Sequence, residues 1–207
     1  MGQIKPIIGL CGGIGAGKSV VAQQLERLGG LVIDSDQLNH EVLRRTEVAR
    51  TLREWWGEEI VGEDGALNRR RIAELIFDDA EQKRRLESLV HPLIAVLRED
   101  IIKAGTADPK VEAIILDSPL LLESNLDRLC HAVVFVEASE TLRLRRLQQT
   151  RGWDIEKLRQ RERWQMPLTE KRSRSQYVIC NEGSIEQLRS QAKDIFERVL
   201  AERSPDQ

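Results

Sequence analysis

Residues 12–19 constrain the fold of this chain more than any other segment. They read Gly12-Gly13-Ile14-Gly15-Ala16-Gly17-Lys18-Ser19, the pattern G-x-x-x-x-G-K-[ST]. An apolar run, Pro6–Cys11, precedes the loop, and a helical pattern, Val20–Leu28, follows it. Strand, glycine loop and helix is the context in which the motif cradles phosphate. Glycines let backbone N–H groups turn onto phosphate oxygens, and the helix N-terminus adds partial positive charge. Lys18 reaches the β- and γ-phosphates, and the Ser19 hydroxyl ligates Mg²⁺. The alternative, a glycine-rich turn without a ligand, matches the pattern by chance in roughly 1% of chains this long.

The rest of the composition bounds the setting. The chain has 207 residues, 41% hydrophobic and 32% charged, enough for one α/β domain with a sizeable core. No apolar run approaches the ~20 residues of a membrane span. Lys5 and Pro6 lead straight into the first strand, so no signal peptide and no membrane are expected. Cys11, Cys130 and Cys180 have no C-x-x-C spacing and read as isolated, small buried thiols in a reducing, cytoplasmic setting. The net charge is −2, which argues against a nucleic-acid binder. Residues 143–174, however, hold nine Arg and two Lys against four acidic residues. A basic element on an otherwise acidic body suits a small phosphorylated ligand.

Short apolar runs at 4–11, 31–34, 112–117, 132–136 and 177–180 read as strands separated by helical patterns. That order predicts a five-stranded parallel sheet with helices on both faces, and ligands at the carboxyl ends of the strands. Two segments interrupt the alternation. Residues 37–110 carry no strand signal, and Leu86, Leu89, Val90, Leu93, Ile94 and Leu97 form one apolar helical stripe. This reads as a helical substrate-binding insertion. In 151–168, Gly152 and Pro167 bracket a polar helix over Ile155–Trp164, which reads as a mobile lid. The nucleotide-binding core is then 1–36, 111–150 and 169–203. Ser204–Gln207 is expected to fray.

Carboxylates stand where the phosphates are expected. Asp34 and Asp36 follow the second strand; one can accept a proton from an attacking hydroxyl, and either can cap the next helix. We assign the chemistry to Asp34 and the cap to Asp36. Asp117 ends the third strand, the usual place for a carboxylate near Mg²⁺. His91 and Pro92 lie in the helical insertion, where a lone His is usually structural and Pro starts or kinks a helix. Arg146 and Arg151 flank the lid hinge, close enough to neutralise a transferring phosphoryl group. Trp153 and Trp164 are expected to pack on the core when the lid is closed, and Trp55-Trp56 to belong to the helical core.

The P-loop, Asp34-Ser-Asp36, Leu89-Val-His91-Pro92-Leu-Ile94, Pro119-Leu120-Leu121-Leu-Glu123, Gln165-Met-Pro-Leu-Thr-Glu-Lys171-Arg and Tyr177-Val-Ile-Cys-Asn181-Glu-Gly183 occur in one order and spacing. In this the chain resembles the dephospho-CoA kinases over nearly its whole length. The resemblance implies a P-loop NTPase three-layer α/β fold with a small lid. It implies a reaction in which MgATP phosphorylates the ribose 3′-hydroxyl of dephospho-CoA, and small kinases of this type can be monomers. It implies Asp34 as base, Gly12 to Val20 on the triphosphate, and Asn181 and Gly183 near adenine. His91, Pro92, Pro119, Leu120 and Leu121 fall to the acceptor, and Arg151 matches the family's lid arginine. The chain departs from the family pattern at Val20, where Thr is usual, at Cys180, where Asp is usual, and in Arg151-Gly-Trp-Asp154 at the lid.

Two rival classes follow from the P-loop alone. One is a kinase of another small molecule; a bulky helical insertion favours a long acceptor. The other is a GTP-dependent switch, but the N-K-x-D guanine signature is absent, and the Asn181 segment reads Asn-Glu-Gly-Ser.

Overall fold

The computed structural model describes residues 5–62, 64–77 and 79–202. Ser204–Gln207, and Ile4 at the expected start of the first strand, lie outside the described residues. The strands are β1 (Ile7–Gly12), β2 (Gly30–Asp34), β3 (Ala113–Asp117), β4 (Ala132–Glu137) and β5 (Tyr177–Cys180). They form one sheet in the order β2-β3-β1-β4-β5, with every pair parallel. The strands are nearly uniform apolar runs because both faces of a parallel sheet are covered.

Helices α1 (Lys18–Arg27) and α9 (Ile185–Ala201) cover one face. Val21, Leu25, Leu188, Ala192 and Phe196 bury there with Ile8, Leu10, Ile115 and Val134. Strand alternation sends Gly9 and Cys11 to the other face. A Cβ on Gly9 would lie 2.7 Å from both Leu121 and Cys130 side chains, so the segment after β3 packs directly on the strand. Cys11 Sγ lies 3.2 Å from Ser175 Oγ. Ser184 and Gln187 form a reciprocal capping box at the start of α9.

The chain divides into two compact units, Met1–Ser35 with Lys103–Gln207, and Asp36–Ile102. The first contains the sheet, α1, α6 (Glu140–Arg151), α7 (Ile155–Glu162), α8 (Leu168–Ser173) and α9. The second is built from α2 (Ser35–Leu43), α3 (Thr46–Trp56), α4 (Arg69–Phe77) and most of α5 (Ala80–Ala107). It has its own core of Val42, Val48, Leu52, Ile60, Ile72, Leu86 and Val90. The rest of the α5 stripe, Leu89, Leu93, Ile94 and Leu97, packs against that core together with Trp55 and Trp56. The two indoles meet edge to face at 5.9 Å, and Trp56 Nε1 donates to Gln82 Oε1 at 2.8 Å.

Several local expectations are corrected. Val61 and Leu67 form an isolated antiparallel bridge within the segment expected to be purely helical. Pro92 neither starts nor ends a helix, since α5 runs through it. One missing N–H is tolerated because Leu86 and Val90 before it are buried in the helical core and partly buried Leu93, Ile94 and Leu97 after it pack on the same core. The start of α5 is set instead by Asp79, whose Oδ1 accepts from the N–H groups of Glu81 and Gln82 at 2.9 and 3.0 Å. Helix α7, expected to run to Trp164, ends at Glu162, and Trp164 is 68% exposed. Cys180 is exposed because β5 is an edge strand; Cys11 is buried and Cys130 partly so, and all three thiols are free. Among the described residues no helix is long and apolar enough to cross a membrane.

Candidate active site

The parallel register lines up one carboxyl edge. Leu10 and Asp34 both pair with Asp117, Gly12 pairs with Val136, and Glu137 pairs with Cys180. The P-loop leaves β1 at the point where its neighbours β3 and β4 diverge in chain order, the switch point at which open α/β sheets bind ligands. Asp34 and Asp117 stand side by side at that edge. Asp36 lies in the first turn of α2 and belongs to the helical unit.

The loop is held from behind. Ala16 O accepts from Asn181 Nδ2 at 2.7 Å and from Arg146 Nη1 at 3.2 Å. Ile14 O accepts from Arg143 Nη1 at 3.1 Å. In a trans peptide the following N–H points opposite to the C=O. Turning these two carbonyls onto Asn181, Arg146 and Arg143 therefore aims the N–H groups of Gly15 and Gly17 the other way, as a phosphate cradle requires. Gly17 opens α1 in the left-handed region at φ 92°, and a Cβ there would lie 2.2 Å from Asn181 Nδ2. A Cβ on Gly13 would lie 2.9 Å from Arg143 Nη1. Close approach sets both glycines, and the left-handed turn adds to it at Gly17 alone. Lys18 is partly buried and Ser19 exposed in the first turn of α1, and Val20 is partly buried beside them.

The candidate arginines separate. Arg146 reaches the loop and also donates Nη2 to Asn181 O at 2.9 Å. Arg151 is exposed at the end of α6, its guanidinium 5.3 Å from the Trp153 ring. Asn181 is buried, and its amide is used to brace the P-loop; Gly183 is exposed just before the α9 cap. Sequence reasoning missed Arg143. It is 3% exposed and pairs with Glu162 of α7 while it holds Ile14. Its one legible signal is the spacing of three from Arg146, which puts both on one face of α6. Arg159 Nη2 to Glu140 Oε1 at 3.0 Å adds a second tie between α7 and α6, and Leu158 is buried beneath. Helix α7 is thus fastened to α6.

A second anchor holds the residues between α7 and α8. Lys171 is fully buried and pairs with Glu123 Oε1 at 2.8 Å. Its Nζ also donates to Gln165 Oε1 at 3.0 Å and Pro119 O at 3.3 Å. Met166 N–H donates to the same Glu123 oxygen at 2.8 Å. Burial pushes the Glu123 carboxyl up, but the Lys171 and Met166 hydrogen bonds outweigh it and hold the group below its ordinary range. The segment that follows Asp117 is so joined to Gln165–Met166. Within it Leu120 is 45% exposed, while Leu121 is fully buried against Gly9 and so closed to any ligand. In the helical unit, His91 and Pro92 are exposed on α5.

Comparison with known proteins places this arrangement. The family model described as dephospho-CoA kinase matches residues 6–187. The dephospho-CoA kinase of Syntrophotalea carbinolica is 38% identical over 196 residues, 94% of this chain and 92% of its own. That of Idiomarina loihiensis is 34% identical over 196 residues, 94% of this chain and 95% of its own. Among solved structures, TT1252 from Thermus thermophilus superposes with a TM-score of 0.82 at 36% identity, covering 97% of this chain and 98% of that one. The match begins before the P-loop, runs through both compact units and ends within α9: this chain belongs to the dephospho-CoA kinase family.

Proposed function

We propose that this chain transfers the γ-phosphoryl group of MgATP to the ribose 3′-hydroxyl of dephospho-CoA, giving coenzyme A and ADP. The observation that carries the reading is the braced P-loop beside the Asp34–Asp117 register pair, in a chain matched by that family over residues 6–187. The P-loop N–H groups and Lys18 hold the triphosphate. Asp34 orients the acceptor hydroxyl and takes its proton. Phosphoryl transfer needs positioning and charge neutralisation more than covalent chemistry. Of the two candidate arginines, Arg146 acts from behind the loop through Ala16, and Arg151 serves the phosphates only if the hinge at Gly152 turns. Leu120, Pro119, His91 and Pro92 are assigned to the acceptor.

The donor set fits magnesium: the Ser19 hydroxyl is exposed in the first turn of α1, and Asp117 offers a carboxylate at the same sheet edge. Bound with ATP, the ion would neutralise charge on the β- and γ-phosphates. Asn181 acts by holding Ala16 and so shaping the loop.

The test is ADP release from MgATP with dephospho-CoA, AMP, adenosine, shikimate or no acceptor, with the product identified by mass. Turnover with dephospho-CoA alone, yielding coenzyme A, is expected. Equal turnover with shikimate or adenosine would refute the acceptor assignment.

A further inference from the structure

Arg143 holds the P-loop and reaches past it to another helix. It touches three successive loop residues. Its Nη1 donates to Ile14 O at 3.1 Å. A Cβ on Gly13 would lie 2.9 Å from that same Nη1, and a Cβ on Gly15 would lie 2.9 Å from Arg143 O. Each Nη of an arginine carries two N–H groups in a fixed planar fork. The second N–H of this one donates to Glu162 Oε1, at the last residue of α7. The carboxylate therefore sets the plane of the fork, and with it the direction of the N–H that meets Ile14 O. Arg143 Nε is buried with no hydrogen-bond partner, so the fork takes its orientation from Nη1.

Helices α6 and α7 are joined by two ion pairs of opposite polarity, each spanning 19 residues. Glu140 meets Arg159, and about one turn further along each helix Arg143 meets Glu162. The side chains of Arg159 and Glu140 are 62% and 46% exposed, and pairs so solvated contribute little. Those of Arg143 and Glu162 are 4% and 21% exposed. A guanidinium so far out of water depends on its carboxylate, since removing one partner leaves an uncompensated buried charge. Here that charge stands directly behind Gly13 and Ile14. The two ties thus fasten the same helices, but the buried one also carries the loop.

We propose that Glu162 is a positioning residue for ATP; the assignment rests on the reading of the P-loop as the ATP site. Acting through Arg143, Glu162 fixes the Ile14–Gly15 peptide. The seating of α7 on α6 therefore sets how the Gly15 N–H meets the triphosphate, a part in nucleotide affinity that the Arg159–Glu140 tie does not share.

Equilibrium titration with ATP and steady-state kinetics of Glu162→Ala and Glu140→Ala test this, since each variant cuts one tie between the same two helices. The expected result is a tenfold or greater rise in Kd for ATP in Glu162→Ala and a change below twofold in Glu140→Ala, with KM for dephospho-CoA changed less than twofold in both. In Arg143→Met, adding Glu162→Ala should move Kd for ATP less than twofold further, because the carboxylate acts through that guanidinium. If Arg143→Met does not fold, the contrast between the two glutamates decides. An unchanged Kd in folded Glu162→Ala overturns the proposal. So do equal rises in Glu162→Ala and Glu140→Ala, which would make both ties a matter of helix docking. A wild type that binds ATP without phosphorylating dephospho-CoA is a separate failure, that of the acceptor assignment, and the ATP titrations still decide between these outcomes. A wild type that does not bind ATP overturns the P-loop reading and this proposal with it.

Discussion

Replacing Glu123 by Gln should destabilise the first unit far more than an ordinary surface change. Lys171 is fully buried and Glu123 is 20% exposed, so this is a largely desolvated pair. Gln keeps an oxygen for the Met166 N–H but removes the charge opposite the ammonium. Lys171 would retain only neutral acceptors, Gln165 Oε1 and Pro119 O. Breaking one side of a buried pair costs about 3–5 kcal/mol, and the partial exposure of Glu123 puts the loss near 3. For a chain of this size that is a fall in Tm of about 6–12 °C. The pH dependence carries the sign. The folded carboxyl titrates below its ordinary 4.5, so the pair's contribution is complete above that pH and is lost as pH falls through the folded value. Denaturant unfolding of wild type and Glu123→Gln should therefore show a gap that is constant near neutrality and narrows in acid. Adding Lys171→Met to Glu123→Gln should recover most of the loss, because the uncompensated charge is gone. A loss below about 1 kcal/mol at pH 7, or a gap indifferent to acid, would refute the account.

Other outcomes test the loop and the edge. Asp34→Asn should leave ATP affinity nearly intact and lower kcat by about 10²-fold or more; if Asp36→Asn carries that loss instead, the roles in the Asp34-Ser-Asp36 pair are exchanged. Lys18→Ala should both cripple turnover and weaken ATP binding, read by single-turnover kinetics and titration. Gly17→Ala forces a side chain into the left-handed region at φ 92° and onto Asn181 Nδ2, so KM for ATP should rise at least tenfold while the chain remains folded; an unchanged KM would show the loop adapts. At pH 8 a thiol reagent should label Cys180 alone in the native protein and all three cysteines after unfolding, since Cys11 is buried and burial, with Asp127, pushes the Cys130 thiol to about 12.

Much of this protein is legible in local signals of its sequence. A glycine loop between an apolar run and an amphipathic helix is a short-range pattern, and so are the five apolar strands and the stripe from Leu86 to Leu97. Each is written in residues within a few positions of one another, where backbone geometry and burial leave few alternatives. Asp34 and Asp117 are legible as strand-end carboxylates for the same reason.

Long-range packing accounts for the rest. Arg143 looks like any arginine in a polar stretch, and the sequence marks Arg146 and Asn181 for contact with the nucleotide rather than for holding the loop. Only the fold brings them behind Ile14 and Ala16, across more than a hundred residues of chain, and makes them the brace of the P-loop. Leu121 and Leu120 are equivalent in composition, and the face of the turn buries one against Gly9 while exposing the other. Trp164 reads as a packing residue yet is left in solvent, because α7 is fastened through Arg143–Glu162 and Leu158 instead. That the chain binds nucleotide phosphate is readable from its residues alone, since that binding depends on a contiguous loop. Which side chains hold that loop in shape is a property of the packed fold, since buried donors and ion pairs exist only where distant segments exclude water together.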